Sequence, residues 1–440
     1  MQPRLSRNPV SIAGVWLTTL SAFGFLVYII VEWFGLVTSP YAGLFGFVAV
    51  PAAFLTGLLL IPLGMWREAR RRRHGQAPWQ WPTINLGRSR ARRIVLAVAL
   101  LTVVNVAVVT VAGFGAVHYM ETNQFCGQVC HEPMHPQFTA HQQPPHANVD
   151  CVRCHVSPGA AGMVRAKMNG TRQAYEFLTG GFSRPIPSMP ARNLPVAADT
   201  CAHCHFAGHP DRDITLVKHE YADDESNSDT PTTLLMFTGK IHWHARPDVT
   251  VEYIATDEKR ETIPYIKVTE AGGKVTEYFA EKVTAPPPGT PRRMDCLDCH
   301  SRPAHRFSPA VEGTVDAAIA AGRISRALPF VRREVVTALK SEYPGQEAAA
   351  DGIRRHLEDF YKSQPSISPS DLNQAIGSAQ RLYELNVFPA MKITWGTYQS
   401  QFGHSELTGC TRCHDDGHTA KDGRAISGDC DFCHKEQDSK

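Results

Sequence analysis

Apolar residues dominate three long stretches near the start of the chain, about Ile12–Val37, Ala42–Trp66 and Ile94–Val117. Each exceeds the ~20 residues a helix needs to cross a bilayer. The first is too long for a signal-peptide core, lacks a clear small-residue cleavage site and is followed by two more spans, so it reads as an anchor. Beyond residue 118 the pattern changes. Val249–Glu281 alternates apolar and polar positions in VTVEYIATDE, ETIPYIKVTE and KVTEYFAEKV, with Gly272-Gly273 before the last run, and predicts a small antiparallel sheet. APPPGTP, Ala285–Pro291, reads as a linker or rigid turn. From Val311 to about Leu385 apolar residues recur at steps of three and four, which predicts helices. Ser368-Pro369-Ser370-Asp371 supplies capping residues for the last of them.

Charge orients these segments. The net charge of +3 says little until it is mapped. Arg4 and Arg7 precede the first span, and Arg67, Arg70, Arg71, Arg72, Arg73, Arg88, Arg90, Arg92 and Arg93 lie between the second and third. The turn between the first two spans, Thr38–Tyr41, has no positive charge. The positive-inside rule places the N-terminus and arginine loop in the cytoplasm and everything after His118 outside. Beside a membrane span, the arginine run reads as a topology and anionic-lipid determinant rather than a nucleic-acid site. The expected fold is mainly α: a three-helix membrane anchor followed by an exported domain of short helices, loops and a small antiparallel β insertion. The expected divisions are 1–118 (anchor), 119–210 (three cysteine motifs), 211–310 (β insertion and a fourth motif), 311–390 (motif-free helices) and 391–440 (two motifs). The expected location is a bacterial inner membrane, crossed several times, with the large domain facing the periplasm.

All 12 cysteines fall into six pairs, each followed directly by histidine. Five pairs read C-x-x-C-H: Cys151/Cys154-His155, Cys201/Cys204-His205, Cys296/Cys299-His300, Cys410/Cys413-His414 and Cys430/Cys433-His434. Cys126/Cys130-His131 has one residue more between its cysteines. This is the pattern of covalent c-type haem attachment, in which two thiols bond the porphyrin and the adjacent histidine ligates iron. Paired cysteines also suit zinc, and a cysteine-rich exported domain suits disulfides, but neither requires the histidine. With 20 histidines in 440 residues, histidine at six chosen positions has chance odds of roughly 1 in 10⁸. The expected cofactors are six c-type haems, or five if the Cys126/Cys130 pair holds none.

Histidine on both faces of six irons requires six more histidines. The preferred candidates are His146, His219, His242, His305, His404 and His418, with His418 expected to serve a neighbouring site rather than that of His414. His242 and His244 alternate in IHWH, so an extended backbone would point them opposite ways and leave only one as a ligand. His356, on a predicted helix, reads as structural. Met134 follows His131 closely and either ligates iron, replacing or facing His131, or packs against porphyrin.

Three features resemble the NapC/NirT group of membrane-anchored multihaem quinol dehydrogenases: an anchor running into a first motif with methionine nearby, the run HANVDCVRCHVSPG with His146 before the second motif, and the stretch AGMVRAKMNGTRQAYEFLTG after it. The match covers roughly residues 100–205. Three spans, six motifs and the later runs IHWH, DCLDCHSRPAH and GCTRCHDDGH are closer to larger inner-membrane cytochromes of the ImcH type. The resemblance implies oxidation of membrane quinol beside the first haem and transfer of electrons to a periplasmic cytochrome or reductase. It implies that Lys167 lines the quinol site, with Glu176 and Gln173 the nearest candidates for the acidic partner. Independently, Glu32 within the first span and His118 where the third emerges are candidates to take protons. Two other functions fit the residues: an electron-relay subunit of a larger membrane complex, and a reductase of a small nitrogen oxyanion with one open-faced iron.

Overall fold

The computed structural model describes residues 8–33, 49–73, 87–129, 131–157, 159–187, 197–205, 212–364, 366–398, 400–404 and 408–437. The chain divides into two compact units, Met1–Val129 and Cys130–Lys440.

In the first unit, α1 (Pro9–Trp33), α2 (Val50–Arg73) and α3 (Ser89–Tyr119) are each long and apolar enough to cross a membrane. α1 and α2 pack antiparallel along a seam of small residues. A Cβ placed on Gly57 would meet the Thr18 hydroxyl and backbone, one on Gly14 would meet the carbonyl of Gly57, and one on Gly64 would meet Ser11. Close backbone approach of this kind is how helices associate where apolar burial gives no net drive. The Ser11 hydroxyl donates to the Ile61 carbonyl at 2.9 Å, satisfying in apolar surroundings a group that water would otherwise serve. α3 presents apolar side chains outward along its length, among them Leu96, Val103, Val111 and Phe114. α2 continues to Arg73 and α3 starts at Ser89, so much of the expected arginine loop is helical. Arginine is a good helix former, and charge ends the apolar core without ending the helix. A π-helical turn, Phe125–Val129, carries Cys126.

In the second unit, the chain forms α4 (His131–His141), α5 (Cys151–His155), α6 (Gly159–Leu178) and α7 (Ala197–Cys201). Strands β1 (Ile214–Tyr221) and β2 (Asp229–Met236) follow as a hairpin. The helical turn α8 (Thr238–Ile241) then runs into a 3₁₀ turn, His242–Ala245, so IHWH is helical rather than extended. The expected sheet is present as β3 (Thr250–Ile254), β4 (Tyr265–Thr269) and β5 (Val275–Phe279). It is extended by β6 (Arg292–Arg293) and by β7 (Thr419–Ala420), in the order β6-β3-β4-β5-β7. The short helix α9 (Cys296–Cys299) follows β6. A second sheet, not anticipated from the pattern, has the order β1-β2-β8, and β8 (His434–Gln437) begins at the last motif histidine. Both sheets therefore tie C-terminal motifs to the middle of the chain.

The helices α10 (Val311–Ala320), α11 (Val331–Lys340), α12 (Gln346–Tyr361) and α13 (Pro369–Asn386) form the expected motif-free bundle. Its core includes Val315, Ile324, Leu328, Val335, Leu339, Ile353 and Leu357. The Ser368 hydroxyl accepts from the Asp371 amide at 3.4 Å, and Pro369 occupies the first helical position of α13. The fully buried Asn227, in the β1–β2 turn, donates to the carbonyls of Arg326 and Leu328 and accepts from the Arg332 amide, locking hairpin to bundle. His356 is paired with Glu334 at 3.0 Å, a structural use.

Candidate haem sites

The motif cysteines sit on short helical turns: α5, the end of α7, α9 and the 3₁₀ turns Gly409–Arg412 and Cys430–Phe432. A C-x-x-C spacing on one turn places both sulfurs on the same face. Among the described residues, no group of three or more His, Cys, Asp and Glu has the arrangement to hold a metal ion by itself.

What the fold brings together is rings. His155 faces His305 with ring centroids 6.1 Å apart. His205 faces His146 at 6.0 Å, His300 faces His242 at 6.5 Å, His414 faces His244 at 5.9 Å and His434 faces His404 at 5.9 Å. Metal–imidazole bonds of about 2 Å on each side place two trans ring centroids roughly 6 Å apart. All five regular motifs therefore present a pair of imidazoles at the spacing that an intervening iron requires. The residues fit haem.

Hydrogen bonding fixes the correct ring nitrogen. The Nδ1 of His305 donates to the Gln137 carbonyl at 3.0 Å, that of His146 to Pro303 at 3.1 Å, that of His244 to Ile241 at 3.0 Å and that of the motif residue His414 to Ser427 at 2.9 Å. A carbonyl on Nδ1 leaves Nε2 with its lone pair for metal and holds the ring in place. Burial, then the neighbouring His155 and Arg302, push His305 down to about 3. Burial likewise lowers His155, His244 and His300, with nearby histidines adding to the effect. Neutral imidazole is the form that ligates.

Two expected ligands stand elsewhere. His418 is buried, with Nδ1 on Asp415 at 2.8 Å and Nε2 on the Ile263 carbonyl at 2.6 Å, so no lone pair remains for iron. His219, on β1, bonds Asp229 at 2.9 Å and stacks on Tyr221, and pairs with no motif histidine among the described residues. His244 takes a place the pattern had given to only one of the IHWH pair. His141 also lies near His305, but its Nε2 is committed to the Val149 carbonyl at 2.9 Å.

The sites follow one another in space in chain order. Burial raises the Cys154 thiol, and Cys151 and then Cys204 of the next motif add to this. The Cys201 thiol donates to the Cys296 sulfur, which raises the first and lowers the second. Burial and then Cys410 push Cys299 up to about 11, and the same two causes raise Cys433. Arg412, inside the Cys410/Cys413 motif, donates to the carbonyl of Asp298, inside the Cys296/Cys299 motif, at 3.0 Å. These contacts link the second motif to the third, the third to the fourth, the fourth to the fifth and the fifth to the sixth.

Near the first motif less is visible. Cys130 and the side chains of His131 and Glu32 lie outside the described residues. Met134 is half-buried on α4, one turn beyond His131 and so on the same helix face. His118 is exposed in the last turn of α3. Lys167 lies on α6, which carries a band of exposed apolar side chains: Met163, Val164, Met168, Tyr175 and Leu178. Arg165, Arg172 and Glu176 lie on the other side of that helix. Glu176 is nine positions from Lys167, half a rotation away, and pairs with Arg172 at 2.8 Å. The structure does not bring those two expected partners together.

Comparison with known proteins adds to this geometry. The NapC/NirT cytochrome c family, N-terminal region, matches residues 88–212. The cytochrome c-type protein ImcH of Geobacter sulfurreducens is 36% identical over 452 residues, spanning 97% of this chain and 87% of the relative. No solved structure matches the chain.

Proposed function

Because this chain belongs to the ImcH family of c-type cytochromes and carries a NapC/NirT region, we propose that it oxidises membrane quinol and delivers single electrons to a periplasmic acceptor. The observation that carries the reading is the second histidine opposite each regular motif histidine. Iron held on both faces has no open position for a small substrate, which favours electron transfer over reduction of a nitrogen oxyanion. Haem, when bound, supplies reversible one-electron chemistry at a potential that paired histidines keep low.

The protein's own part is placement. Cysteine pairs would hold six haems covalently, with His155, His205, His300, His414 and His434 ligating from one side. His305, His146, His242, His244 and His404 would ligate from the other. In the first motif, His131 or Met134 would ligate but not both from opposite faces, since two residues one turn apart on a helix cannot approach one iron from two sides. The succession of neighbouring motifs from the second to the sixth supports a path that ends at the Cys430/Cys433 site.

Quinol oxidation also releases protons. Lys167, set in the exposed apolar band of α6, suits a site where an apolar ring arrives from lipid and its hydroxyl needs a hydrogen-bonding group. Its ammonium holds the quinol oxygen. Glu176, engaged by Arg172 on the other side of the helix, is a less suitable acceptor.

The test is anaerobic mixing of the oxidised, full-length protein with a menaquinol analogue, followed in the haem absorption bands. The wild type is expected to be reduced rapidly. Lys167→Ala is expected to slow quinol-driven reduction by about 10²-fold, with reduction by dithionite unchanged. A wild type that dithionite reduces and quinol does not would overturn the reading in favour of a relay subunit.

A further inference from the structure

The IHWH run places two histidines within three residues, and the fold sends them to two different motifs. The 3₁₀ turn His242–Ala245 sets the His242 ring 6.5 Å from that of His300 and the His244 ring 5.9 Å from that of His414. The two pairs differ in orientation. The planes of His242 and His300 are 25° apart, whereas those of His244 and His414 are 87° apart. The second pair is held at both ends, because the Nδ1 of His244 is bonded to Ile241 and that of His414 to Ser427. Trp243 stands edge-on to His244 at 5.7 Å and packs on the β-sheet core of Val249, Val251, Tyr253, Ile263 and Ile266.

The motif side is equally constrained. Arg412 donates to the carbonyls of Asp298 and Arg260, which joins the Cys296/Cys299 and Cys410/Cys413 turns. The turn bearing His242 and His244 therefore faces two motifs that Arg412 joins.

Resting on the multihaem reading above, we propose that the His242-Trp243-His244 turn gives the second axial ligand to two consecutive irons, at Cys296/Cys299 and at Cys410/Cys413, and holds their imidazole pairs near-parallel at the first and near-perpendicular at the second. One short turn thus fixes the spacing of one step in the electron path and makes the two irons electronically unlike. Near-parallel imidazole planes split the iron d orbitals and give a rhombic low-spin ferric spectrum. Near-perpendicular planes leave two of those orbitals almost degenerate and give a strongly anisotropic spectrum with a single large g feature.

The experiment is electron paramagnetic resonance of the oxidised full-length protein and of His242→Ala and His244→Ala, each with covalent haem mapped by peptide mass. His244→Ala is expected to lose a large-g signal and gain one high-spin iron. His242→Ala is expected to lose rhombic intensity and gain one high-spin iron. Added imidazole should restore low spin in both. His244→Met, which keeps an axial ligand, guards against loss of folding and should show a sulfur-to-iron charge-transfer band. Full haem occupancy with no new high-spin iron in either alanine variant would overturn the proposal, as would loss of the large-g signal in His242→Ala instead. Wild-type peptides lacking haem at either motif would instead overturn the multihaem reading beneath it.

Discussion

Asp298 lies between the cysteines of the fourth motif and is 1% exposed. Such a carboxylate is stable only if its charge is met. Arg260 and Arg292 pair with it, the Tyr253 hydroxyl donates to it at 2.6 Å and the Asp295 amide at 2.7 Å. Burial, followed by the Asp298 charge, pushes the Tyr253 phenol up to about 12, so it stays protonated and keeps donating. Removing one member leaves the rest uncompensated. Asp298→Ala is expected to lower stability by about 3–5 kcal/mol, read as a fall in the chemical-denaturation midpoint of the purified protein. An unchanged midpoint would mean that the cluster is hydrated and weak. The neighbouring Arg412 shows the same economy of placement: one guanidinium caps carbonyls of two separate segments. At this scale the sequence singled out the cysteine pairs and was uninformative about Asp298, because a CLDC run looks the same whether its aspartate is buried or solvated.

At the scale of elements, the anchor depends on close packing of α1 against α2. Gly57 faces Thr18, where even a Cβ would come within van der Waals overlap of the Thr18 backbone. Gly57→Leu is expected to force the two helices apart and cost about 1–3 kcal/mol, seen as a lower thermal midpoint in detergent; Gly24→Leu, where a Cβ meets nothing, is the control expected to leave it unchanged. The helices α10 to α13 were legible from three- and four-residue spacing because each buries one stripe in a common core. The central strands were legible from alternation for the corresponding reason. The β1–β2 hairpin was not. Its strand β1 leaves Ile214, Leu216 and Val217 exposed, so neither face carries a clean apolar set, and its stability comes from β8 and from Asn227.

For the whole molecule, orientation is the property on which everything else depends, since thioether formation occurs only on the outer side of the inner membrane. Alkaline phosphatase, which needs an oxidising compartment to fold, is expected to be active when fused after Glu121 and inactive when fused after Arg88. The reverse result would overturn the proposed topology. The pairing of histidines is assembled by tertiary structure. His305 follows the fourth motif yet faces the second, His146 precedes the second yet faces the third, and His404 precedes the fifth yet faces the sixth. Spans, the cysteine pairs and the histidine beside each pair were legible in the sequence alone, because each depends on apolar length or on residues adjacent in the chain. Which histidine completes which pair was decided only by the fold, because the partners come from distant segments and any of several histidines satisfies the same chemistry until packing brings one of them within reach.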